Sequence, residues 1–145
     1  MSQTMSDQTV PDGFERHFRR SNLTDPWEPI YSQSLDDRIR IGLVLGQAHC
    51  NSRGLVHGGL IATLADNAMG LSCFTVLKGE GREVAGLVTL SLSTDFMAAA
   101  KLGNWLEIDT DYVKTGGSVC FARAMITADG QSIAKANASF KVLRG

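Results

Sequence analysis

The residues best suited to chemistry lie in one segment of the sequence, from Asn51 to Asp66. His57, Gly58 and Gly59 stand in its middle, directly before an apolar stretch that predicts a helix. A helix that begins near Gly58 presents unpaired backbone N–H groups and the positive end of its dipole. Two glycines there let a substrate approach the backbone closely. Fixed donors of this kind are what an oxyanion site for acyl transfer requires.

Asn51 and Asp66 offer two further groups to such a site. The side-chain amide of Asn51 could be a second donor to the same oxyanion. Asp66 lies within the apolar stretch, where a carboxylate costs free energy unless it is paired, protonated or useful. Because its predicted helical face is small or soft, we expect a ligand or another helix to approach Asp66 closely. That face consists of Ala62, Met69, Gly70 and Cys73, with the bulky Ile61, Leu64 and Leu71 on the other side.

His57 and Asp66 point in opposite directions on the predicted helix. At about 100° and 1.5 Å per residue, they lie on opposite sides and roughly 14 Å apart along the axis. Asp66 is therefore poorly placed to serve the oxyanion site at the start of its own helix. If both groups act in one reaction, Asp66 comes from a second subunit. A two-fold dimer with antiparallel central helices would build two equivalent sites.

The elements around this segment predict a mostly β domain with one long helix. Apolar residues alternate with polar ones within residues 30–46, which predicts two strands around the Asp36–Asp37 turn. Residues 58–77 are apolar nearly all round, which predicts a buried helix rather than a surface one. Four β-rich runs follow, joined by hairpin-like connections, and predict a meander of four consecutive antiparallel strands. These runs are residues 86–97, 104–114, 117–128 and 132–143.

The chain length of 145 residues predicts one domain, over residues 13–145. Residues 1–12 are polar, and we expect them to form a disordered tail rather than a signal peptide. Residues 14–20, with the sequence FERHFRR, predict a short N-terminal helix with Phe14 and Phe18 along one edge.

The composition of the chain limits which partners and which cellular compartment are expected. A net charge of −1 argues against nucleic acid and against an anionic membrane as partners. The three cysteines, Cys50, Cys73 and Cys120, form no metal pattern, and their odd number favours a reducing, cytoplasmic compartment. Asp66 near the middle of the apolar stretch favours a buried helix over a membrane span. No cofactor fingerprint is visible, so neither a cofactor nor a metal is expected.

The pattern NxxGxxHGGxxxxLxD, formed by Asn51, Gly54, His57, Gly58, Gly59, Leu64 and Asp66, resembles the PaaI-like, thioesterase-superfamily-member group of hotdog-fold thioesterases. The similarity in element order covers residues 30–143. It implies an α+β hotdog fold, with an antiparallel sheet of about six strands wrapped around one central helix. It also implies an acyl-CoA thioesterase that assembles as a homodimer or as a dimer of dimers.

The resemblance further implies a role for each site residue. The Gly58 N–H and the Asn51 side chain polarise the thioester carbonyl, and His57 shapes the loop. Asp66 from the other subunit acts as general base or nucleophile, and Thr89 on the following strand helps to hold the water. Some relatives have serine at this last position. The implied substrate contacts are Gly59, Phe96, Met97, Lys101, Lys114, Gly116, Gly117 and Ser118.

Each of these residues also has a purely structural interpretation. His57 could cap a turn, Asn51 could be a loop residue, and Asp66 could be a satisfied structural carboxylate. Thr89 is an ordinary β-branched strand residue. The same holds for residues expected on the surface, in packing or in turns: His17, His49, Arg53, Lys101, Lys114, Cys50, Cys73 and the Gly116–Gly117 pair.

Two other functions remain open on the same fold. Hydration or dehydration of an acyl thioester would need a histidine facing the substrate carbons. A non-enzymatic acyl-CoA binding protein would gain nothing from a buried carboxylate. The HGG…D arrangement favours hydrolysis over both, since function depends on the site and not on the fold.

Overall fold

The computed structural model describes residues 10–145. The predicted disordered tail, residues 1–12, therefore lies mostly outside the described residues. Short 3-10 turns lie at Asp25–Trp27 and Gln47–His49. The main elements, in chain order, are β1 Glu15–Arg16, β2 Tyr31–Ser34, β3 Ile39–Val44, α1 Gly58–Gly79, β4 Val84–Phe96, β5 Trp105–Thr115, β6 Val119–Ala128 and β7 Gln131–Arg144.

The helix α1 is the central element and has one buried side. It contains 22 residues and is about 33 Å long. By length and composition it could cross a membrane, but half of its most apolar window is buried inside the protein. The expectation of burial all round is wrong for a single chain, since Phe74 is 38% exposed. The buried residues recur every three or four positions: Leu60, Ile61, Leu64, Ala65, Ala68, Met69, Ser72, Cys73 and Leu77.

One antiparallel sheet of seven strands, rather than about six, wraps around this helix in the order β1-β2-β3-β5-β6-β7-β4. The hotdog fold is confirmed. Small side chains on β6 and β7 let the sheet lie close to the helix, because alanine leaves room for the larger helix residues. These buried alanines are Ala122, Ala124, Ala134, Ala136 and Ala138.

The predicted meander after the helix is wrong in one pairing. β4 pairs with β7 and not with β5, so it forms an edge of the sheet. The connection from β4 to β5 is not a hairpin, because it is tied to the loop before α1. Val56 donates its backbone N–H to the Ala100 carbonyl at 2.8 Å, and Leu55 forms an isolated bridge with Lys101. The remaining pairs, β5 with β6 and β6 with β7, are hairpins as predicted.

The predicted N-terminal helix over residues 14–20 is also wrong. Glu15 and Arg16 form the short strand β1 against β2. Phe14 packs edge-on against Trp105, with ring centroids 5.2 Å apart, whereas Phe18 is 61% exposed. The two phenylalanines share no apolar edge, because strand pairing directs Phe14 alone into the aromatic cluster.

Candidate active site

The loop before α1 is held by the Asn51 side chain. Its Oδ1 accepts hydrogen bonds from the backbone N–H groups of Arg53, at 2.9 Å, and Leu55, at 3.2 Å. Its own backbone N–H donates to the Leu55 carbonyl at 2.8 Å. The side-chain Nδ2 donates to no group in residues 10–145, and the residue is exposed. Asn51 is thus a turn residue through its oxygen and an unused donor through its nitrogen.

His57 is the N-cap of α1. Its Nδ1 accepts the backbone N–H of Gly59 at 2.9 Å, so this nitrogen carries no proton. Its own backbone N–H donates to the His49 carbonyl at 3.0 Å. The imidazole therefore fixes the geometry of the helix start.

Gly58 presents the free donor at this helix start. The amide of Gly59 is occupied by His57, and those of Leu60 and Ile61 donate to the His57 carbonyl at 3.1 and 3.4 Å. Among the described residues, the Gly58 amide has no acceptor. The Phe96 ring lies against Gly58, since a Cβ added there would be 3.1 Å from Phe96 Cζ. Any larger residue at position 58 would displace this ring.

Asp66 and Thr89 form the second cluster. Thr89 Oγ1 donates to Asp66 Oδ1 at 2.7 Å, and Oδ2 accepts nothing from the described residues. Asp66 is half-buried on the open side of α1, whereas Met69 and Cys73 are fully buried on the sheet side. Of the residues predicted to share the face of Asp66, these two are covered by the sheet, whereas Ala62 and Gly70 stay partly exposed beside it.

A cavity of about 460 Å³ opens over Asp66. Its base is the open side of α1, with Phe140 of the sheet below. One wall is formed by residues 84–87 and Thr89 of β4. The other is formed by residues of the segment before β2, between His17 and Ile30. Leu64 and Leu71, expected on the other side of the helix, also line it. The full lining comprises His17, Arg19, Arg20, Ser21, Thr24, Ile30, Ile41, Leu64, Asp66, Asn67, Gly70, Leu71, Phe74, Val84, Ala85, Gly86, Leu87, Thr89 and Phe140.

Asn51 lies in a different hollow, of about 390 Å³, together with Gln47, Cys50, Ser52, Gly54 and Leu102. A single chain therefore does not bring Asn51 and Asp66 into one site. This separation agrees with the opposed directions of His57 and Asp66 on the helix.

The predicted substrate contacts fall into two groups at opposite ends of α1. Phe96, Met97 and Lys101 lie beside the start of the helix, next to Gly58 and the preceding loop. Lys114, Gly116, Gly117 and Ser118 belong to the β5–β6 hairpin, which lies at the end of the helix. Arg82 holds this hairpin by donating to the carbonyls of Gly116, at 2.7 Å, and Gly117, at 2.9 Å.

Both histidines expected on the surface are partly or fully buried. His49 is 6% exposed; its Nδ1 accepts from the Gly46 N–H at 2.7 Å, and its Nε2 donates to the Trp27 carbonyl at 2.8 Å. Burial lowers the pKa of His49. His17 is half-buried and lines the cavity. No periodic pattern marked either residue, because both are fixed by contacts between distant segments.

Metal-binding groups are not assembled in the part of the chain that the structure describes. Among residues 10–145, no three His, Cys, Asp or Glu side chains are clustered closely enough to hold a metal ion. The groups that the two clusters offer for chemistry are the Asp66 carboxylate, the Thr89 hydroxyl, the Asn51 Nδ2 and the Gly58 backbone N–H.

Comparison with known proteins identifies the family and supports the fold. A Pseudomonas aeruginosa protein designated an esterase is 33% identical over 132 residues, which cover 90% of this chain and 96% of that protein. Human acyl-coenzyme A thioesterase 13 is 32% identical over 91 residues, or 61% of each chain. A Streptococcus mutans structure with acetyl CoA bound is 26% identical, with a TM-score of 0.72, and the match covers 89% of this chain and 98% of that one.

The family profile described as the Thioesterase superfamily matches residues 53–135, more than half of the chain. The match includes the helix start, Asp66 and Thr89. The chain belongs to the thioesterase superfamily.

Proposed function

We propose that this protein hydrolyses acyl-CoA thioesters at a site shared between two subunits. One subunit contributes the Asp66–Thr89 pair and its cavity, and the other contributes Asn51 and the Gly58 amide. The observation that carries the proposal is the 2.7 Å hydrogen bond from Thr89 to Asp66 at a cavity that contains neither Asn51 nor Gly58 of the same chain.

The chemistry follows from the free groups at each cluster. The Gly58 N–H and Asn51 Nδ2 polarise the thioester carbonyl and stabilise the negative charge that develops on its oxygen. Thr89 orients the carboxylate of Asp66 through Oδ1. In one route its free Oδ2 takes a proton from a water that attacks the carbonyl carbon, the C–S bond breaks, and that proton passes to the departing CoA thiolate. In the other route Oδ2 attacks the carbonyl carbon itself and displaces the CoA thiolate, which takes a proton from solvent; water then hydrolyses the resulting anhydride and restores the Asp66 carboxylate. The acid and the CoA thiol are the products.

The edge strand β4 supports a second copy as the partner. It is 13 residues long and has no strand neighbour on one side, so it offers unpaired backbone groups along its length. Its exposed apolar residues are Val88 at 49%, Leu90 at 56%, Leu92 at 37% and Phe96 at 55%. Pairing of this edge with its own symmetry mate would bury these side chains and set the two helices antiparallel.

CoA is the proposed carrier of the acyl group. The acetyl CoA bound to the related Streptococcus mutans protein supports this choice. The two groups of predicted contacts lie at opposite ends of one helix. One CoA molecule can therefore reach both only if Phe96, Met97 and Lys101 come from one subunit and the 114–118 hairpin from its mate. A cytoplasmic location is proposed with it, since all three cysteines are free thiols.

Complementation tests the shared site directly. Asn51→Ala and Asp66→Ala should each be inactive as homodimers in an assay of free-thiol release from acyl-CoA. Co-refolded mixtures should regain activity, because half of the sites in a mixed dimer have both wild-type residues. Asp36→Asn, in the exposed β2–β3 turn, is the matched control and should stay active. Mixed dimers that remain inactive would contradict a site shared between subunits.

Hydration of an enoyl thioester is the competing reaction on this fold. It requires an acid–base imidazole at the substrate carbons. The Nδ1 of His57 is committed to the helix cap, and the ring of His17 lies on the wall of the cavity opposite β4. Loss of the enoyl absorbance without thiol release would favour hydration, whereas thiol release from saturated acyl-CoA requires hydrolysis.

A further inference from the structure

The cavity over Asp66 has one polar wall that the hydrolytic mechanism does not use. Thr89 and residues 84–87 of the β4 side form the first wall, which carries the reacting pair. The segment His17–Thr24 forms the opposite wall. It brings an imidazole, two guanidinium groups and two hydroxyls to a cavity whose base is largely apolar.

This segment is held in place by its own hydrogen bonds. The backbone N–H of His17 donates to the Ile30 carbonyl at 2.9 Å, and that of Asp25 donates to the Ser21 carbonyl, also at 2.9 Å. The hydroxyls of Ser21 and Thr24 bond to each other at 3.0 Å. Both hydroxyls therefore already have a hydrogen-bond partner. The groups of this wall that remain for a ligand are the two guanidinium groups and the imidazole.

The charges on this wall are unequally compensated. Arg20 forms an ion pair with Asp25 at 3.1 Å, and both side chains are well exposed. Arg19 forms no ion pair with any residue in 10–145. His17 Nδ1 is buried and has no hydrogen-bond partner among these residues. Burial, opposed by Glu28, lowers the pKa of His17, so its ring is predominantly neutral near pH 7 and Arg19 supplies the uncompensated charge.

An acyl group bound for hydrolysis must cross this cavity. With its thioester carbon at the Asp66–Thr89 pair, its chain would lie over Gly70, Leu71 and Phe74, which line the cavity on the open helix side. The CoA portion leaves towards the donors of the other subunit. Groups on the His17–Thr24 wall therefore face the acyl part of the substrate.

We propose that the preferred acyl group carries a carboxylate, which Arg19 binds together with the imidazole of His17. A guanidinium presents paired N–H donors that match a carboxylate, and such charge-assisted bonds are stronger than neutral ones. The inference rests on the proposed function and names the substrate class of the same site: the CoA monothioester of a dicarboxylic acid.

Binding tests this inference without requiring turnover. The probes are two non-hydrolysable CoA thioethers of equal chain length, S-(5-carboxypentyl)-CoA and S-hexyl-CoA, titrated calorimetrically into the full-length protein. The carboxylated thioether should bind about tenfold more tightly or better, the size of one charge-assisted hydrogen bond. Arg19→Met should remove this preference. Arg16→Gln, the same charge change in the preceding strand β1 and outside the cavity, should keep it.

Two results would overturn the inference. Equal binding of the two thioethers would show that the wall does not recognise a carboxylate. A loss on Arg19→Met that is equal for both would assign Arg19 to the phosphates of CoA. Thioesters of N-acetylcysteamine, which have no phosphate, separate these sources: adipoyl should be cleaved faster than hexanoyl in the wild type only. Failure to cleave any thioester, with the binding preference intact, would instead refute the proposed hydrolysis.

Discussion

Asn51 carries two separable functions in one side chain, an acceptor that holds the loop and a donor that faces solvent. Asn51→Asp keeps the Oδ1 acceptor for Arg53 and Leu55 and removes the donor. We expect a melting temperature near that of the wild type and a hydrolysis rate lower by about 10²–10³, as for loss of one oxyanion donor. Asn51→Ala should lose both functions. Thermal melts report the loop function and thiol release reports the donor function. A turnover near that of the wild type in Asn51→Asp would show that Asn51 acts only in holding the loop.

Asp66 should matter for turnover and little for folding. Asp66→Ala removes the hydrogen bond from Thr89, worth about 0.5–1.5 kcal/mol, and gains about 0.5 kcal/mol in helix propensity. The free energy of unfolding should therefore change by about 1 kcal/mol or less, while hydrolysis is abolished. Asp66→Asn should be equally inactive. Denaturant titration beside the thioester assay decides the matter, since a large loss of stability with residual activity would make Asp66 structural.

Thr89 should act by orienting Asp66 rather than by holding up the strand. Thr89→Val keeps the β-branched shape that suits β4 and removes the hydroxyl donor. We expect kcat to fall with little change in KM or in melting temperature. Thr89→Ser restores the donor and should recover most of kcat. A valine variant with wild-type kcat, or a serine variant as slow as valine, would exclude the orienting role.

The part of the candidate site whose geometry follows from the sequence is local, and the roles of its residues stay predictions. Asn51, His57, Gly58 and Asp66 belong to one continuous segment, so their spacing along a loop and a helix fixes their relative positions. The surroundings of Asp66 and the wall around Arg19 depend on which distant strands cover the helix. Periodicity along one segment does not contain that information.

At the scale of elements, local patterns predicted the strands and turns but not every neighbour. Asp129 and Gly130, with φ of 47° and 86°, form the two-residue turn that the ADGQ sequence indicated. The pairing of β4 with β7 has no local signal, because it depends on where the β4–β5 connection is tied. Residues 14–20 show the opposite error, since pairing with β2 overrides a weak helical pattern.

Acid should destabilise the start of α1 through His49, whose backbone carbonyl accepts the N–H of the N-cap residue His57. The ordinary pKa of His49 is 6.5, and burial lowers the pKa in the folded state. The unfolded chain then binds more protons as the pH falls below about 6.5, so stability is lost from there downwards. His49→Asn keeps an acceptor for the Gly46 N–H without this titration. Its melting temperature should fall less than that of the wild type between pH 7 and pH 5.

The remaining acid sensitivity of the His49→Asn variant should come from His17, whose pKa burial also lowers. His17→Asn is the matched comparison, and the double variant should have the flattest profile of the three. If the melting temperature falls equally with pH in the wild type and in His49→Asn, protonation of His49 does not destabilise the helix start.

At the scale of the whole molecule, one chain contains two incomplete sites. The Gly58 donor lies at the start of α1 and the Asp66 carboxylate lies eight residues later along the helix, while Asn51 lies in a different hollow from Asp66. The single long edge of the sheet with exposed apolar side chains is β4, the strand that also carries Thr89. Assembly through β4 would therefore bring the carboxylate cluster of each chain close to the contact with its mate.

Disrupting the β4 edge should abolish activity while both half-sites remain intact. Leu90→Lys places a charge on the most exposed apolar residue of β4, and a charged edge strand resists pairing. We expect a folded monomer by light scattering, with circular dichroism like that of the wild type and no thiol release. Phe121→Lys, equally conspicuous at 51% exposure but on the interior strand β6, should stay at least dimeric and active. An active Leu90→Lys monomer would mean that one chain completes the site by itself, and the role given to the partner subunit would be wrong.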